Sequence, residues 1–344
     1  MLKKFKIPWS TRAHYFSTKE KKGIIKILDN SDCLSQGEWL KKFENKFLKF
    51  LNSRGKAYAV TSGASAIELA ASVLKLNPSD QVVIPSHTYC ASALPFNRYN
   101  VKIKWVDINK DDFTIDIEHL KKIINKNTKV IVAVHLYGLP CQIDEIKKMC
   151  DKRKIILIED CAQSLGSKIK NKFVGTYGDM SIFSFHQQKN MTTLGEGGML
   201  VVNNKKFQKF IPGLKHNGHR PYINKKKYWK PAMVDVYEDL KGVTPFNFPM
   251  TEIQAFTGYH LLDRVKKLNY ARNQRARKLR DALKEFKYIN IDGFDLVKEI
   301  TVTDVKKNHK THLKFEEMVL NSGLKDGDFH EKNLKRIPMD KGMK

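Results

Sequence analysis

Four short stretches of this chain hold residue types that could do chemistry together. In SFHQQKNMTTLGEGG, Lys189 is the lone lysine between an apolar segment ending in Ser184-Phe185-His186 and a second one that follows Gly195-Glu196-Gly197-Gly198. An ammonium taken out of water is costly unless it is paired, neutralised or used covalently. Lys189 is therefore either a nucleophile and base or simply one of 63 Lys and Arg residues on a solvated loop. Ser62-Gly63-Ala64-Ser65 follows the apolar run AYAV. At a strand-to-helix junction its free N–H groups and the helix dipole suit a phosphate, although the same residues make an ordinary N-cap. Tyr89, in Pro85-Ser86-His87-Thr88-Tyr89, is a stacking platform or a core aromatic. Asp160 and Gln163 stand in EDCAQSLG, where a carboxylate at a strand end needs a donor partner and a structural salt bridge would supply one.

The elements that must position these residues alternate in type. AYAV, VVIP, KIKWVDI, KVIVAVHLYG and KIILIED read as strands, with AIELAASVLKL and a segment near 142–153 as helices. Strand, helix, strand units of about thirty residues imply a mainly parallel sheet covered on both faces. Ligands of such sheets gather at the carboxyl ends of the strands. Ser62, the His87-to-Tyr89 segment, Asp160 and Ser184 all fall there. Before them, 18–30 and 38–51 carry apolar residues three and four apart and predict two amphipathic helices, an arm that packs on something else. Residues 204–250 hold eight prolines and glycines in irregular sequence and read as loops. The segment 251–286 reads as one long helix opened by a Thr251 and Gln254 capping pair.

Bulk properties narrow the classes. The chain has 344 residues, enough for one large core or two domains. Its opening MLKKFKIPWSTR is basic but has no apolar region behind it, and no apolar run approaches the roughly 18 residues of a membrane span. A soluble, cytoplasmic protein with no membrane partner is expected. Five scattered cysteines with no CxxC pair argue against a disulfide framework or a cysteine metal site, and no metal is expected. The formal charge of +27 is spread among acidic residues, and no nucleic-acid-binding pattern accompanies it. Such a surface attracts anionic small molecules, while nucleic acid is not an expected partner.

The order and spacing of the motifs resemble the DegT/DnrJ/EryC1/StrS family of sugar aminotransferases, which use pyridoxal 5'-phosphate (PLP) on the fold-type I aminotransferase scaffold. The matching residues are Ser62-Gly63; Pro85 with Thr88-Tyr89 and Ala91; Glu159-Asp160 with Ala162-Gln163 and Gly166; Val174-Gly175 with Gly178-Asp179; and FSFH, Lys189 and GEGG in the stretch 183–198. They span about residues 7–285. The resemblance implies an α/β fold-type I PLP-dependent transferase, with a mainly parallel central sheet covered by helices and a smaller α+β C-terminal domain. It implies an N-terminal arm and large PLP-binding domain over 1–250, and a linking long helix with a divergent or shortened small domain over 251–344.

The resemblance also implies roles. Lys189 would hold the cofactor covalently and then move the proton; Asp160 would pair with the pyridine nitrogen. Gln163 would donate to the ring hydroxyl and Tyr89 would cover the ring face. Ser62, the backbone of Gly63 and Ala64, and Ser184 would hold the phosphate. The family is a homodimer with active sites at the subunit interface, closed by an asparagine from the partner. Here Asn247 matches it in Phe246-Asn247-Phe248-Pro249-Met250, with Pro249 where the family has arginine.

The expected reaction is amino transfer from glutamate or glutamine to a keto sugar, such as a nucleotide-linked 3- or 4-keto-6-deoxyhexose, in surface glycan or lipopolysaccharide biosynthesis. The alternatives are a nucleotide-sugar dehydratase, whose family members replace the lysine with histidine, and a PLP-binding relative without catalysis.

Overall fold

The computed structural model describes residues 14–219, 240 and 242–283, and strands at 287–291, 294–304 and 309–314. The chain divides into two compact units, with the break between Asn269 and Tyr270.

The first unit opens with the two predicted helices. Helix α1 (Thr18–Asn30) starts at a capping box in which Ser17 and Glu20 satisfy each other's backbone N–H groups. Helix α2 (Glu38–Leu51) buries Leu40, Phe43, Phe47 and Leu51, spaced three and four apart, and stops at Asn52, which takes a left-handed conformation.

A seven-stranded sheet follows, with the order β1-β9-β8-β5-β4-β2-β3. Its strands are β1 (Lys56–Val60), β2 (Gln81–Pro85), β3 (Lys102–Val106), β4 (Thr128–Val134), β5 (Ile156–Asp160), β8 (Met180–Ser184) and β9 (Gly198–Val202); a small hairpin, β6 (Lys168–Ile169) and β7 (Lys172–Phe173), stands apart. Strand β9 is antiparallel to both neighbours, and the other pairings are parallel. The crossovers carry α3 (Gly63–Ser72), α4 (Leu94–Asn97), α5 (Ile117–Ile123) and α6 (Ile143–Arg153); α7 (Lys205–Gln208), α8 (Ile211–Lys215) and α9 (Glu252–Leu262) come after β9. Alternate residues of each strand bury opposite ways. Val82, Ile84, Val130, Val132, Ile158 and Leu200 pack with α3, while Val83, Ile131, Ala133 and Leu157 pack with α5 and α6. A sheet buried on both faces explains why the strands read as continuous apolar runs.

The arm packs on its own unit. Phe43 and Phe47 are fully buried against Phe185 and Phe183, with ring centroids 5.6 and 4.9 Å apart. This pair of aromatic contacts sets α2 beneath the strand that leads to Lys189. The buried carboxylate of Glu252, in the first turn of α9, accepts from the N–H groups of Gly37, Trp39 and Leu40 at 2.9, 2.8 and 3.1 Å. It thereby satisfies donors that α2 cannot satisfy itself.

The expected single helix over 251–286 is two. The Thr251 and Gln254 box opens α9, but the chain breaks at Asp263-Arg264 before α10 (Val265–Leu283) begins. Both break residues are held from outside: Asp263 by Lys46 at 2.7 Å, and Arg264 by Glu20 at 2.9 Å and by the Tyr15 carbonyl at 3.2 Å. Tertiary pairing here overrides a helical pattern.

In the second unit, beyond the end of α10, β10 (Lys287–Ile291), β11 (Phe294–Asp304) and β12 (His309–Lys314) form an antiparallel meander. The polar, weakly periodic sequence from 287 onward did not predict these strands; 315–344 lie outside the described residues.

Candidate active site

The sheet order sets the ends of β1, β8 and β5 almost side by side, with only β9 between the first two. Ser62 follows β1 and caps α3, its hydroxyl accepting from Ser65 N–H at 3.0 Å and its carbonyl from Ala66 N–H at 3.1 Å. The first two helical N–H groups, of Gly63 and Ala64, have no acceptor among the described residues. Ser184 ends β8 directly against this turn. A Cβ on Gly63 would lie 2.9 Å from the Ser184 Cβ, and one on Gly198 would collide with the Ser62 carbonyl. Glycine at both positions lets α3, β8 and β9 meet with backbone donors and the Ser184 hydroxyl close together, a cradle fit for a phosphate.

Asp160 ends β5 and is 7% exposed. The salt bridge that is the simplest explanation of a buried carboxylate is absent among the described residues. Instead Asp160 accepts from the Ser92 hydroxyl at 2.7 Å and from Ala162 N–H at 3.0 Å. Those two bonds leave further lone pairs for an N–H donor. Gln163, half-buried, accepts from Tyr137 N–H at 2.9 Å through its side-chain oxygen, which leaves its amide NH2 as a donor.

Beside Asp160, Glu159 is fully buried and differs entirely in role. Its carboxylate accepts from Gly175, Tyr177 and Gly178 N–H groups at 2.7, 2.7 and 2.6 Å and from His135 Nε2 at 3.1 Å. His135 Nδ1 accepts from Cys141 N–H at 3.2 Å, so the ring proton sits on Nε2. His135, Glu159 and Cys161 bring ligand-type atoms within 4.8 Å of one another. The four donors to the carboxylate and the backbone bond to His135 make the group a brace for the end of β5 rather than a metal cage.

Lys189 lies on a loop whose two ends are tied together. Phe185 N–H donates to Gly197 O at 2.7 Å, Gln187 N–H to Gly195 O at 2.8 Å, and Thr193 N–H to Phe185 O at 3.1 Å. His186, also matched by the motif, accepts the Lys189 N–H through its carbonyl at 2.9 Å and so shapes the turn. The Lys189 carbonyl in turn accepts from His14 Nε2 at 2.8 Å, and the next residue, Asn190, donates to Asn269 Oδ1 at 3.1 Å. The backbone around Lys189 is therefore fixed from several sides. Its half-buried ammonium has no partner among the described residues.

Tyr89 stands 70% exposed at the start of a 3-10 turn, Cys90–Ser92, that follows β2. Of the residues picked out by sequence, the fold thus sets Ser62, Gly63, Ala64, Ser184, Asp160, Gln163, Lys189 and Tyr89 at or just after the carboxyl ends of β1, β8, β5 and β2 of one sheet. Asn247 is exposed and makes an isolated antiparallel bridge with His216 near the end of β1. Sequence reasoning missed Ser92, His14 and Tyr137. None of the three left a signal in the sequence: Ser92 is a small polar residue whose partner lies 68 positions away, and the other two act through contacts with backbone groups.

The Asn247 partner, His216, reports on pH. Gln36 Nε2 lies 2.9 Å from His216 Nε2 and must donate to it, so the ring is neutral there. Burial, then the neighbouring His219 and Lys215, hold its pKa below the ordinary 6.5. The unfolded chain takes up a proton that the folded ring resists, so this contribution to stability is full above pH 6.5 and is lost as pH falls through the lower folded value. Thermal melts from pH 7.5 to 5 should therefore decline, and His216→Gln should flatten the decline; an unchanged slope would remove His216 as its source.

A lysine on a tied loop, a clamped carboxylate and a phosphate cradle at the carboxyl ends of a mainly parallel sheet are the arrangement that the resemblance to fold-type I PLP-dependent transferases implies. The chain matches the DegT/DnrJ/EryC1/StrS aminotransferase family over residues 16–321 and belongs to it. GDP-perosamine synthase of Vibrio cholerae is 33% identical over 264 residues, covering 77% of this chain and 68% of that protein. The GDP-perosamine synthase of Escherichia coli O157:H7 is 35% identical over 247 residues, 72% of this chain and 64% of that one. The chain thus spans about two thirds of the length of these relatives. Among solved structures, an aminotransferase from Psychrobacter cryohalolentis matches with a TM-score of 0.72 at 29% identity, covering 81% of this chain and 69% of that one. The E. coli GDP-4-keto-6-deoxy-D-mannose-3-dehydratase with bound hydrated PLP matches with a TM-score of 0.73 at 26% identity, over 84% and 77% of the two chains. The cofactor is PLP. No helix among the described residues is long and apolar enough to cross a membrane.

Proposed function

We propose that this protein transfers an amino group from glutamate or glutamine to the carbonyl carbon of a nucleotide-linked keto sugar, at C3 or C4 of a 6-deoxyhexose. The observation that carries the reading is the Lys189 ammonium, unpaired among the described residues, on the loop after β8, whose neighbouring strand β5 ends in a carboxylate that keeps lone pairs open. Bound PLP supplies an electron sink for the carbon that loses its proton. The residues of this chain do the rest. The N–H groups of Gly63 and Ala64, with Ser62 and Ser184, would hold the phosphate end. Asp160 would accept the pyridinium N–H, Gln163 would donate to the ring hydroxyl and Tyr89 would cover the ring. Lys189 would anchor the cofactor through its nitrogen and, once the donor's amine has displaced it as a free amine, would take the proton from the donor carbon and deliver it to the cofactor carbon it had been bound to; with the keto sugar the same transfer would run in reverse.

Relatives named as perosamine synthases and as 3-dehydratases both match the chain, and Lys189 is the residue that favours the first class. Two copies are proposed to pair, with Asn247 of each completing the other's phosphate site. Pro249, in place of arginine, leaves no cation there for a donor carboxylate. The setting proposed is cytoplasmic assembly of surface glycan such as lipopolysaccharide. Borohydride treatment followed by peptide mass spectrometry should find the cofactor on Lys189. Incubation with GDP-, UDP- and dTDP-linked keto sugars and glutamate should replace a carbonyl oxygen by an amino group; loss of a hydroxyl instead would assign the chain to the dehydratases.

A further inference from the structure

We propose that Ser92 is a positioning residue for Asp160, the last member of a hydroxyl relay that begins at Thr88; this rests on the reading that Asp160 pairs with the cofactor's ring nitrogen. Ser92 is 2% exposed, and its hydroxyl donates to Asp160 Oδ2, 68 residues away in sequence, at 2.7 Å. The Thr88 hydroxyl lies 2.8 Å from the Ser92 oxygen. An ionised carboxylate only accepts, so the single Ser92 proton points to Asp160, and the bond between the hydroxyls must then run from Thr88 to Ser92. Each donor polarises the next, which strengthens the bond that ends on the charge.

The other carboxylate oxygen is held by Ala162 N–H at 3.0 Å. One oxygen is thus clamped from the loop after β2 and the other from the loop after β5. A carboxylate otherwise turns almost freely about its last bond. Gripped at both oxygens, it presents its unused lone pairs in one direction. The grip also links two functions. Tyr89 opens the 3-10 turn that Ser92 closes, and Ser92 N–H donates to the Tyr89 carbonyl at 2.9 Å. One turn therefore sets both the aromatic that would cover the ring and the group that aims the ring's counter-ion.

The test uses holoenzyme reconstituted with PLP labelled with nitrogen-15 in the ring, in wild type, Ser92→Ala, Ser92→Thr, Thr88→Val and Asp160→Asn. The ring-nitrogen resonance and the cofactor's dissociation constant are read alongside single-turnover rates with L-glutamate. Asp160→Asn should move the resonance toward the unprotonated ring. Ser92→Ala should move it the same way by less and slow the single turnover about tenfold to a hundredfold, the range for groups that orient a reacting residue. Ser92→Thr, which keeps the hydroxyl, should restore both, and Thr88→Val should give a smaller shift of the same sign. If Asp160→Asn moves the resonance and Ser92→Ala leaves it and the rate unchanged, the role of Ser92 is overturned while the reading of Asp160 stands. If Asp160→Asn leaves the resonance in place, the reading beneath the inference fails. Should Ser92→Ala not fold, Thr88→Val decides: a shift of the same sign supports the relay, and no shift overturns it.

Discussion

Lys189→Ala is expected to abolish amino transfer while leaving the fold intact. The loss should be at least about 10⁴-fold, because the side chain is both the cofactor's anchor and the base, and a positioned base alone is worth up to about that factor. The fold should hardly notice. The bonds that shape this loop come from backbone groups of Phe185, Gln187, Lys189 and Thr193 and from the His14 and Asn190 side chains. None involves the ammonium, so removing it breaks no contact in the described structure. The check pairs a turnover assay with a thermal melt. A variant that keeps a tenth of wild-type activity, or that melts far below wild type, would contradict this account of Lys189.

The opposite result is expected thirty residues earlier. Glu159→Ala should destabilise the fold by about 3–5 kcal/mol, since it strands buried donors that nothing else can reach. Three backbone N–H groups and the His135 ring lose their acceptor together. For a domain whose whole stability is about 5–15 kcal/mol, the loss is enough to leave much of the protein insoluble or unfolded at growth temperature. Glu159→Gln should fall between, because an amide oxygen accepts some of those donors while its NH2 opposes others. Chemical denaturation of the three proteins measures this, and an alanine variant within about 1 kcal/mol of wild type would refute it. Neighbouring carboxylates at the end of one strand would thus be separated cleanly: Asp160 for the reaction, Glu159 for the scaffold.

Much of this architecture was legible in the residues. The apolar spacing of α1 and α2 gave their extents because a surface helix must bury one stripe, and the runs of β2, β4 and β5 were plain because both sheet faces are covered. Ser62, Asp160 and Ser184 could be located since a strand end is marked where an apolar run meets a polar residue. Three features were hidden for physical reasons. The break between α9 and α10 comes from ion pairs to Lys46 and Glu20, more than 200 residues away in sequence, so no local pattern records it. Ser92 is polar and small, and only the folded sheet reveals that it faces Asp160. In the meander β10 to β12 the alternation of β11 slips where Lys298 is an extra residue against β10, and β12 (HKTHLK) holds a single apolar residue, so no regular pattern runs through it.

The tied loop around Lys189 has a consequence for how such a protein changes over time. Its closure belongs to β8, β9 and the backbone of the loop, and the glycine at 198 is constrained by the Ser62 carbonyl rather than by the lysine. Position 189 is therefore a socket whose occupant can be exchanged without disturbing what surrounds it. The family resemblance implies dehydrating members with histidine where this chain carries lysine, and on that expectation a change of reaction need be no larger than one exchange in the socket. Selection can act on the socket and the scaffold separately, so a lineage can alter the product it makes from a keto sugar long before its sheet records any difference.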